Sequence, residues 1–314
     1  ILRPGSERVV STTADATHFV GCKGLIRFDD CRFENMLDDA TNVHGTYTRA
    51  ERQVGPRTVL AKLMHFQQFG FTFAEPGDAI RFSSRETLDP YGEANVSEIR
   101  AINDQYMLIT FDRPLDGLLR DDSILDNLTW QADVRMSNCT VSRNRARSLL
   151  LSTAGDVLIE NNTFDRSSMM NILMEGDAFV WHESCPSRNV RIVGNRFIDL
   201  NPTAEMIRIS PKLPNGVVPE KPYHRNIVIE GNTFETLSPS LLTAAHASEL
   251  IFRNNRIVKA DGYAQPQGNP AAFKLQNCRN VVISDNDCRL DRTVTVTADK
   301  QSKEIVVHDN NNIE

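Results

Sequence analysis

The chain has 314 residues and a mass of 35.3 kDa, with 40% hydrophobic and 24% charged residues, a composition that excludes a disordered or collagen-like polymer. Its 35 Lys+Arg against 41 Asp+Glu leave a formal net charge of −6, which argues against nucleic acid or a highly anionic polysaccharide as partner and leaves a neutral sugar open. No run approaches the roughly 18 apolar residues of a membrane span.

The start, Ile1-Leu2-Arg3-Pro4, has neither an initiator Met nor the basic–apolar–small pattern of a signal peptide, so the numbering is expected to begin inside a longer precursor. The first dense polar chemistry follows. Asp15 lies in Thr13-Ala14-Asp15-Ala16-Thr17-His18, and Asp38-Asp39 in Met36-Leu37-Asp38-Asp39-Ala40-Thr41-Asn42-Val43-His44-Gly45. Between them stands Cys31-Arg32-Phe33, the first copy of a phrase that returns throughout the second half. Residues 46–126 lack that phrase. They hold short apolar runs, Thr58–Met64, Ala79–Phe82, Val96–Ile102 and Tyr106–Phe111, separated by turn signals such as Pro76-Gly77-Asp78. They read as a small antiparallel β-barrel or sandwich inserted between residues 1–45 and 127–314.

From Cys139 onward the phrase is regular: aliphatic or β-branched residues, two polar residues, Asn or Cys, any residue, then an aromatic or aliphatic. Val157-Leu158-Ile159-Glu160-Asn161-Asn162-Thr163-Phe164 is its fullest copy. The key position recurs at Cys139, Asn162, Asn195, Asn232, Asn255, Asn286 and Asn310, in steps of 23, 33, 37, 23, 31 and 24 residues. The short steps fit one turn of a right-handed parallel β-helix and the long ones the same turn with an added loop. The fold class expected is therefore all-β: a right-handed parallel β-helix carrying an inserted antiparallel β-barrel. Asn repeated at one corner can form a ladder of amides that satisfies buried backbone groups. Cys31 and Cys139 fall in the same column and read as stacked interior thiols rather than a disulfide; the 6 Cys contain no CxxC, which speaks against zinc-ribbon and redox motifs.

The column gives the early carboxylates a meaning. Asp15 and Asp38 are 23 residues apart, one short step, and are expected to stack on adjacent turns about 4.8 Å apart. Like charges that close raise at least one pKa and yield a protonated acid beside an ionised base, the division of labour of glycoside hydrolysis. Asp38 and Asp39 reach one cleft only if a bend lies between them. Clustered oxygens would also suit calcium, and a solvated Asp-Asp turn is the plainer alternative.

The stretch Glu34–Gly45 resembles the corresponding segment of glycoside hydrolase family 110, exo-acting α-1,3-galactosidases some of which remove the terminal galactose of the blood-group B antigen. The likeness continues in Asn144-Arg145-Ala146-Arg147, in Glu175-Gly176-Asp177-Ala178-Phe179-Val180-Trp181-His182-Glu183-Ser184 and in Asn189–Phe197, and spans roughly Ser11 to Asn255. Family members carry more sequence before the Asp-Asp segment. The resemblance implies a β-helix with an inserted barrel and an inverting mechanism without metal or cofactor. By that likeness Asp38 is the general acid, while Asp15 and Asp39 hold and deprotonate the attacking water. Other residues suit a galactose pocket by type. Trp181 could stack on the apolar sugar face. Glu175, Asp177 and Glu183 could accept from sugar hydroxyls. Arg145, Arg147 and Arg208 could bind hydroxyls or tune the carboxylates. His18, Asn42 and His44 flank the cluster. The expected partner is a galactose-terminated oligosaccharide or glycoconjugate, which implies a secreted or periplasmic protein, and the sequence leaves a homodimer open. The rivals are a polygalacturonase-like β-helix hydrolase of another glycan and a non-catalytic carbohydrate-binding or adhesion β-helix.

Overall fold

The computed structural model describes residues 8–199, 205–260 and 271–314. Among them there is no α-helix, and the one helical segment is the 3₁₀ turn Phe66–Gln68. Three parallel sheets form the faces of a right-handed β-helix. The first face stacks, in order, Thr17–Val20, Thr41–Thr46, Leu149–Ser152, Ile172–Met174, Ile207–Ile209, Leu242–Ala245, Phe273–Gln276 and Val296–Ala298. The second runs from Leu25–Asp29 through Asp133–Ser137 to Lys303–His308, and the third from Arg32–Glu34 through Thr140–Ser142 to Asp287–Arg289.

The repeated phrase is the corner between the second and third faces. Each column residue is preceded by one held at positive φ: Asp30, Asn138, Asn161, Gly194, Gly231, Asn254, Asp285 and Asp309, with φ between 51° and 65°. Gly, Asn and Asp are the residues that tolerate this left-handed conformation, which explains the polar pair that precedes the Asn. The turn aims the next side chain inward, where the amides form a ladder. Asn162 Nδ2 donates to Asn195 Oδ1 at 3.0 Å, Asn195 to Asn232 at 3.0 Å, Asn232 to Asn255 at 3.0 Å, Asn255 to Asn286 at 3.1 Å and Asn286 to Asn310 at 2.8 Å. Two residues further on, Phe164, Phe197 and Phe234 stack with centroids 5.0 and 4.9 Å apart inside the coil. Cys139 is buried in the same column and its sulfur accepts from Cys31 N–H at 3.3 Å; both thiols are free, but Cys31 is only half-buried, at the first corner described.

Replacing Asn232 by Leu tests the ladder. Asn232 Oδ1 accepts from Asn195 N at 2.8 Å and Nδ2 at 3.0 Å, and its own Nδ2 donates to Ile192 O at 2.9 Å. Leu strands these buried groups, at about 1–3 kcal/mol each. We expect Asn232→Leu to lower stability by roughly 3–6 kcal/mol in urea unfolding, and a loss below about 1 kcal/mol would contradict the ladder's role.

The chain leaves the first face at Thr46 and enters a closed antiparallel barrel of six strands. Their order is Ser123–Asn127, Thr48–Gly55, Thr58–Leu63, Tyr106–Phe111, Pro90–Ala101 and Ala79–Ser84, around its own core of Val59, Ile80, Phe82, Ile109 and Phe111. The barrel therefore departs directly after the Asp38-Asp39 segment and places the 3₁₀ turn Phe66–Gln68 beside Trp181 on the coil: Gln68 Nε2 donates to Trp181 O at 3.1 Å.

Candidate active site

Strand register decides which carboxylates meet. Thr17 pairs with Thr41, and Thr41 with Leu149, so the local steps are 24 and 108 residues. Asp39, not Asp38, therefore stacks on Asp15, and Asp39 N donates to Asp15 Oδ1 at 3.0 Å. The expected 23-residue stacking of Asp15 with Asp38 is off by one because this turn of the first face holds one residue more than the short corner step. A bend at Leu37–Asp38 does turn both neighbours toward the same space. Asp15, Asp38 and Asp39 bring oxygens within 4.8 Å of one another.

The same register continues as a row of outward positions on the first face: His18, Asn42, Leu150, Leu173 and Arg208. Leu150 and Leu173, with Met170, form an apolar cluster separate from the coil's core. They floor a cavity of about 320 Å³ that the three aspartates, Arg147, Glu175 and Trp181 surround. An apolar patch beneath a ring of polar groups suits one sugar ring. Opposite, residues 177–184 fold back as a hairpin. Glu183 and Ser184 pair antiparallel with Thr46 and Gly45, and Asp177 bridges to Glu183. Asp177 is buried, with Oδ1 accepting from Phe179 and Val180 N–H at 2.7 and 2.9 Å and Oδ2 from Trp181 N–H at 3.0 Å. It shapes the hairpin and is spent before any substrate arrives, which corrects its expected role as a hydroxyl acceptor. The Trp181 ring is half-exposed and leans on His65 with centroids 5.0 Å apart.

Arg147, one step beyond Asp39, grips it through the backbone N–H at 2.8 Å and through Nε at 2.8 and 3.0 Å, while Nη2 stands 3.7 Å from Asp38. Arg145, two residues earlier, is exposed and donates to Leu37 O at 2.6 Å, outside the cavity. Its expected place in the pocket is corrected by the bend at Arg145–Ala146, which turns two positions of like parity to different sides. Arg208 lines the cavity but is paired with Glu205, and Lys212 is 3.3 Å from Asp177. Asn42 donates to Glu183 at 3.2 Å, and its own Oδ1 is buried without a partner. His18 faces the cavity and bonds Asp15 at 2.9 Å; His44 lies behind it, its Nε2 2.7 Å from that of His18. Leu150, Met170, Leu173, Lys212 and the barrel's Gln67 also line the cavity and were not foreseen; the row through His18 and Asn42 could have supplied the two leucines.

Burial dominates the electrostatics. It pushes the Asp39 carboxyl up to about 6 against the lowering by Arg147, and Glu175 up to about 7 against Lys212. Glu183 is raised for the same reason. A carboxylate held near 6 is a stronger base at neutral pH than an exposed one. As a cation site the aspartate cluster fits poorly. Calcium takes 6–8 oxygens, whereas here a guanidinium and an imidazole already sit on the carboxylates. A water making two bonds of about 2.8 Å bridges oxygens about 4.6 Å apart, and the oxygens of this cluster lie within 4.8 Å of one another. Nor are His18, His44 and Glu183 set for zinc: two imidazole nitrogens at about 2.0–2.1 Å from a tetrahedral ion stand about 3.3 Å apart, not 2.7 Å. Elsewhere, a groove of about 540 Å³ on the second face is lined by Arg135, Arg191 and Arg253, but its Glu230 is already paired with Arg191 and Arg253.

A coil of three parallel faces with a carboxylate-ringed pocket at one turn defines the class: the chain belongs to the right-handed β-helix family, whose model, the right handed beta helix region, matches residues 128–314. The GLAA-B beta-barrel domain II matches residues 58–124. The chain is 38% identical to alpha-1,3-galactosidase A of Bacteroides fragilis over 90% of its own length and 47% of that protein. It is 35% identical to alpha-1,3-galactosidase A of Shewanella woodyi, over 91% and 47%, and 36% identical to alpha-1,3-galactosidase B of Phocaeicola vulgatus, over 88% and 50%. These relatives bear out the resemblance to glycoside hydrolase family 110. The chain spans about half the length of the curated relatives it matches. Among solved structures, the tailspike protein gp49 of Pseudomonas phage LKA1 aligns over 96% of this chain and 68% of its own, at 11% identity and a TM-score of 0.30, too distant to inform the site.

Proposed function

We propose that this chain is the catalytic part of an exo-acting α-1,3-galactosidase that works with inversion. The observation that carries the reading is the group of three carboxylates, with the Asp39 backbone N–H tied to the Asp15 carboxylate, at the edge of a pocket with an apolar floor and a tryptophan wall. Asp38 makes no side-chain hydrogen bond among the described residues and is half-exposed, free to protonate the leaving oxygen. Asp15 and Asp39 hold and deprotonate the water on the opposite side. Arg147 keeps Asp39 aimed, and Asn42, Glu175 and Glu183 meet the sugar hydroxyls. The cations around the pocket speak for a neutral sugar: Arg147, Arg208 and Lys212 each already face a carboxylate, so none is left to pair with a uronate. The relatives named alpha-1,3-galactosidases support galactose and the α-1,3 linkage. A galactose-terminated glycan or glycoconjugate is the substrate, and such substrates place the enzyme outside the cytoplasm, secreted or periplasmic.

The test is galactose release from α-1,3-, α-1,4- and α-1,6-linked galactobiose. Cleavage of the α-1,3 isomer alone is expected; cleavage of all three, or of a uronide instead, overturns the reading. Trp181→Ala removes the stacking wall, and we expect KM to rise about tenfold with kcat within about threefold, since the ring binds ground and transition state alike. An unchanged KM would take Trp181 out of the sugar site.

A further inference from the structure

At the edge of the carboxylate cluster two imidazole rings meet through atoms that cannot both accept. His18 precedes the cavity on Thr17–Val20, and its Nδ1 lies 2.9 Å from Asp15 Oδ2. His44 is buried on Thr41–Thr46, and its Nδ1 lies 2.5 Å from Gly45 O. A carbonyl and an ionised carboxylate only accept, so both Nδ1 atoms carry a proton. The two Nε2 atoms then face each other at 2.7 Å, hydrogen-bond distance. With both rings neutral, two lone pairs would point at one another. The contact closes only if the pair holds one extra proton.

We propose that His18 and His44 share this extra proton, His18 as the imidazolium and His44 as its neutral acceptor, and that the pair is a positioning device that holds Asp15 ionised and aimed at the water it deprotonates. The proposal rests on the hydrolase reading for its consequence and on the geometry alone for the proton. The surroundings assign the charge to His18. The hydrogen bond to Asp15 raises its pKa, against burial, and the fields of Asp15, Glu183 and Asp39 raise it further. Burial pushes His44 down to about 4, and the charge of His18 adds to that. The titratable groups facing the pair are Asp15 from its own turn, Asp39 from the turn before the next strand, Glu183 from the hairpin, 3.4 Å from His44, and His65 from the barrel across a neighbouring cavity of about 350 Å³. Three acids surround one imidazolium, so the charge stays compensated while Asp15 remains an anion. As pH rises through the His18 pKa the shared proton leaves, the Nε2 lone pairs repel, and the donor on Asp15 becomes a neutral Nδ1–H on a displaced ring. The pair therefore sets an alkaline limit on activity.

Ring ¹⁵N–¹H correlation spectra of the ¹⁵N-labelled protein test the proton without any need for turnover. His18 is expected with both nitrogens protonated at pH 6 and a midpoint above 6.5, and His44 as the neutral Nδ1–H tautomer from pH 5 to 9. A neutral His18 at pH 6, or an Nε2–H on a neutral His44, overturns the proposal. Activity tests the consequence. Removing the acceptor in His44→Leu is expected to move the alkaline limb of kcat down by about one pH unit with KM within about twofold, and His44→Gln, whose side-chain oxygen accepts, to restore it. An equal loss at every pH in His44→Leu assigns the residue to packing and overturns the positioning role. A parent protein that cleaves no galactoside but shows these ring signals overturns the hydrolase reading and supports the shared proton.

Discussion

Asp38→Asn is expected to lower kcat on α-1,3-galactobiose by about 10³–10⁴-fold while leaving fold and KM nearly unchanged. The side chain is half-exposed, makes no hydrogen bond among the described residues and stands 3.7 Å from the nearest guanidinium nitrogen, so its removal disturbs little packing. The loss should depend on the leaving group. An aryl α-galactoside departs without protonation, so Asp38→Asn should recover most of its rate on that substrate. Asp15→Asn impairs water activation and should lose rate on both substrates alike. Steady-state kinetics of the two variants on the two substrates check this. If Asp38→Asn loses equally on both while Asp15→Asn is rescued, the acid and base roles are exchanged. If neither loses more than about tenfold, the cluster is not the catalytic centre.

Arg147→Met is expected to cost both stability and activity. Asp39 is 1% exposed, and Arg147 supplies its backbone N–H and its guanidinium to it. Truncating one partner of a buried pair leaves an uncompensated charge and costs about 3–5 kcal/mol. The sign with pH follows from Asp39, whose folded pKa is already raised to about 6 by burial. A raised carboxyl binds its proton more tightly when folded, so its stabilising contribution is full below the unfolded value near 3.8 and is lost as pH rises through about 6. Without the guanidinium that pKa climbs further. The stability deficit of Arg147→Met should therefore be small near pH 4, begin to grow as pH passes about 6 and keep growing toward pH 9, as read by urea unfolding from pH 4 to 9. Arg147→Met combined with Asp39→Asn should regain most of the stability and none of the activity. A deficit that does not change with pH would mean that Arg147 acts through packing rather than charge.

The coil was legible because a left-handed corner accepts few residue types and the buried position after it needs an amide; the two together print a phrase that survives loops of any length, from Asn162 to Asn310. The site was legible only as far as that phase carries. Asp15, Asp39 and Arg147 share one column, but the corner step of 23 residues is not the step of the first face, where Thr17 meets Thr41. That one residue decides whether Asp38 or Asp39 lies on Asp15. A bend at Arg145–Ala146 separates Arg147 from Arg145, although the two have the same parity. Asp177 shows a different limit, because a carboxylate that caps three amides of its own hairpin is written like one that waits for a ligand. Gln68 and His65 come from the barrel, which has no repeat to set its register against the coil, so their approach to Trp181 left no trace in spacing.

We propose that three carboxylates on adjacent turns carry out hydrolysis with inversion. The most direct measurement is ¹H NMR of α-1,3-galactobiose during the first minutes of reaction, before the released sugar mutarotates. With inversion, the H1 signal of β-galactose appears first and that of α-galactose only later. Initial release of α-galactose would contradict it, since that outcome requires a covalent intermediate on one of these aspartates in place of a water held between two.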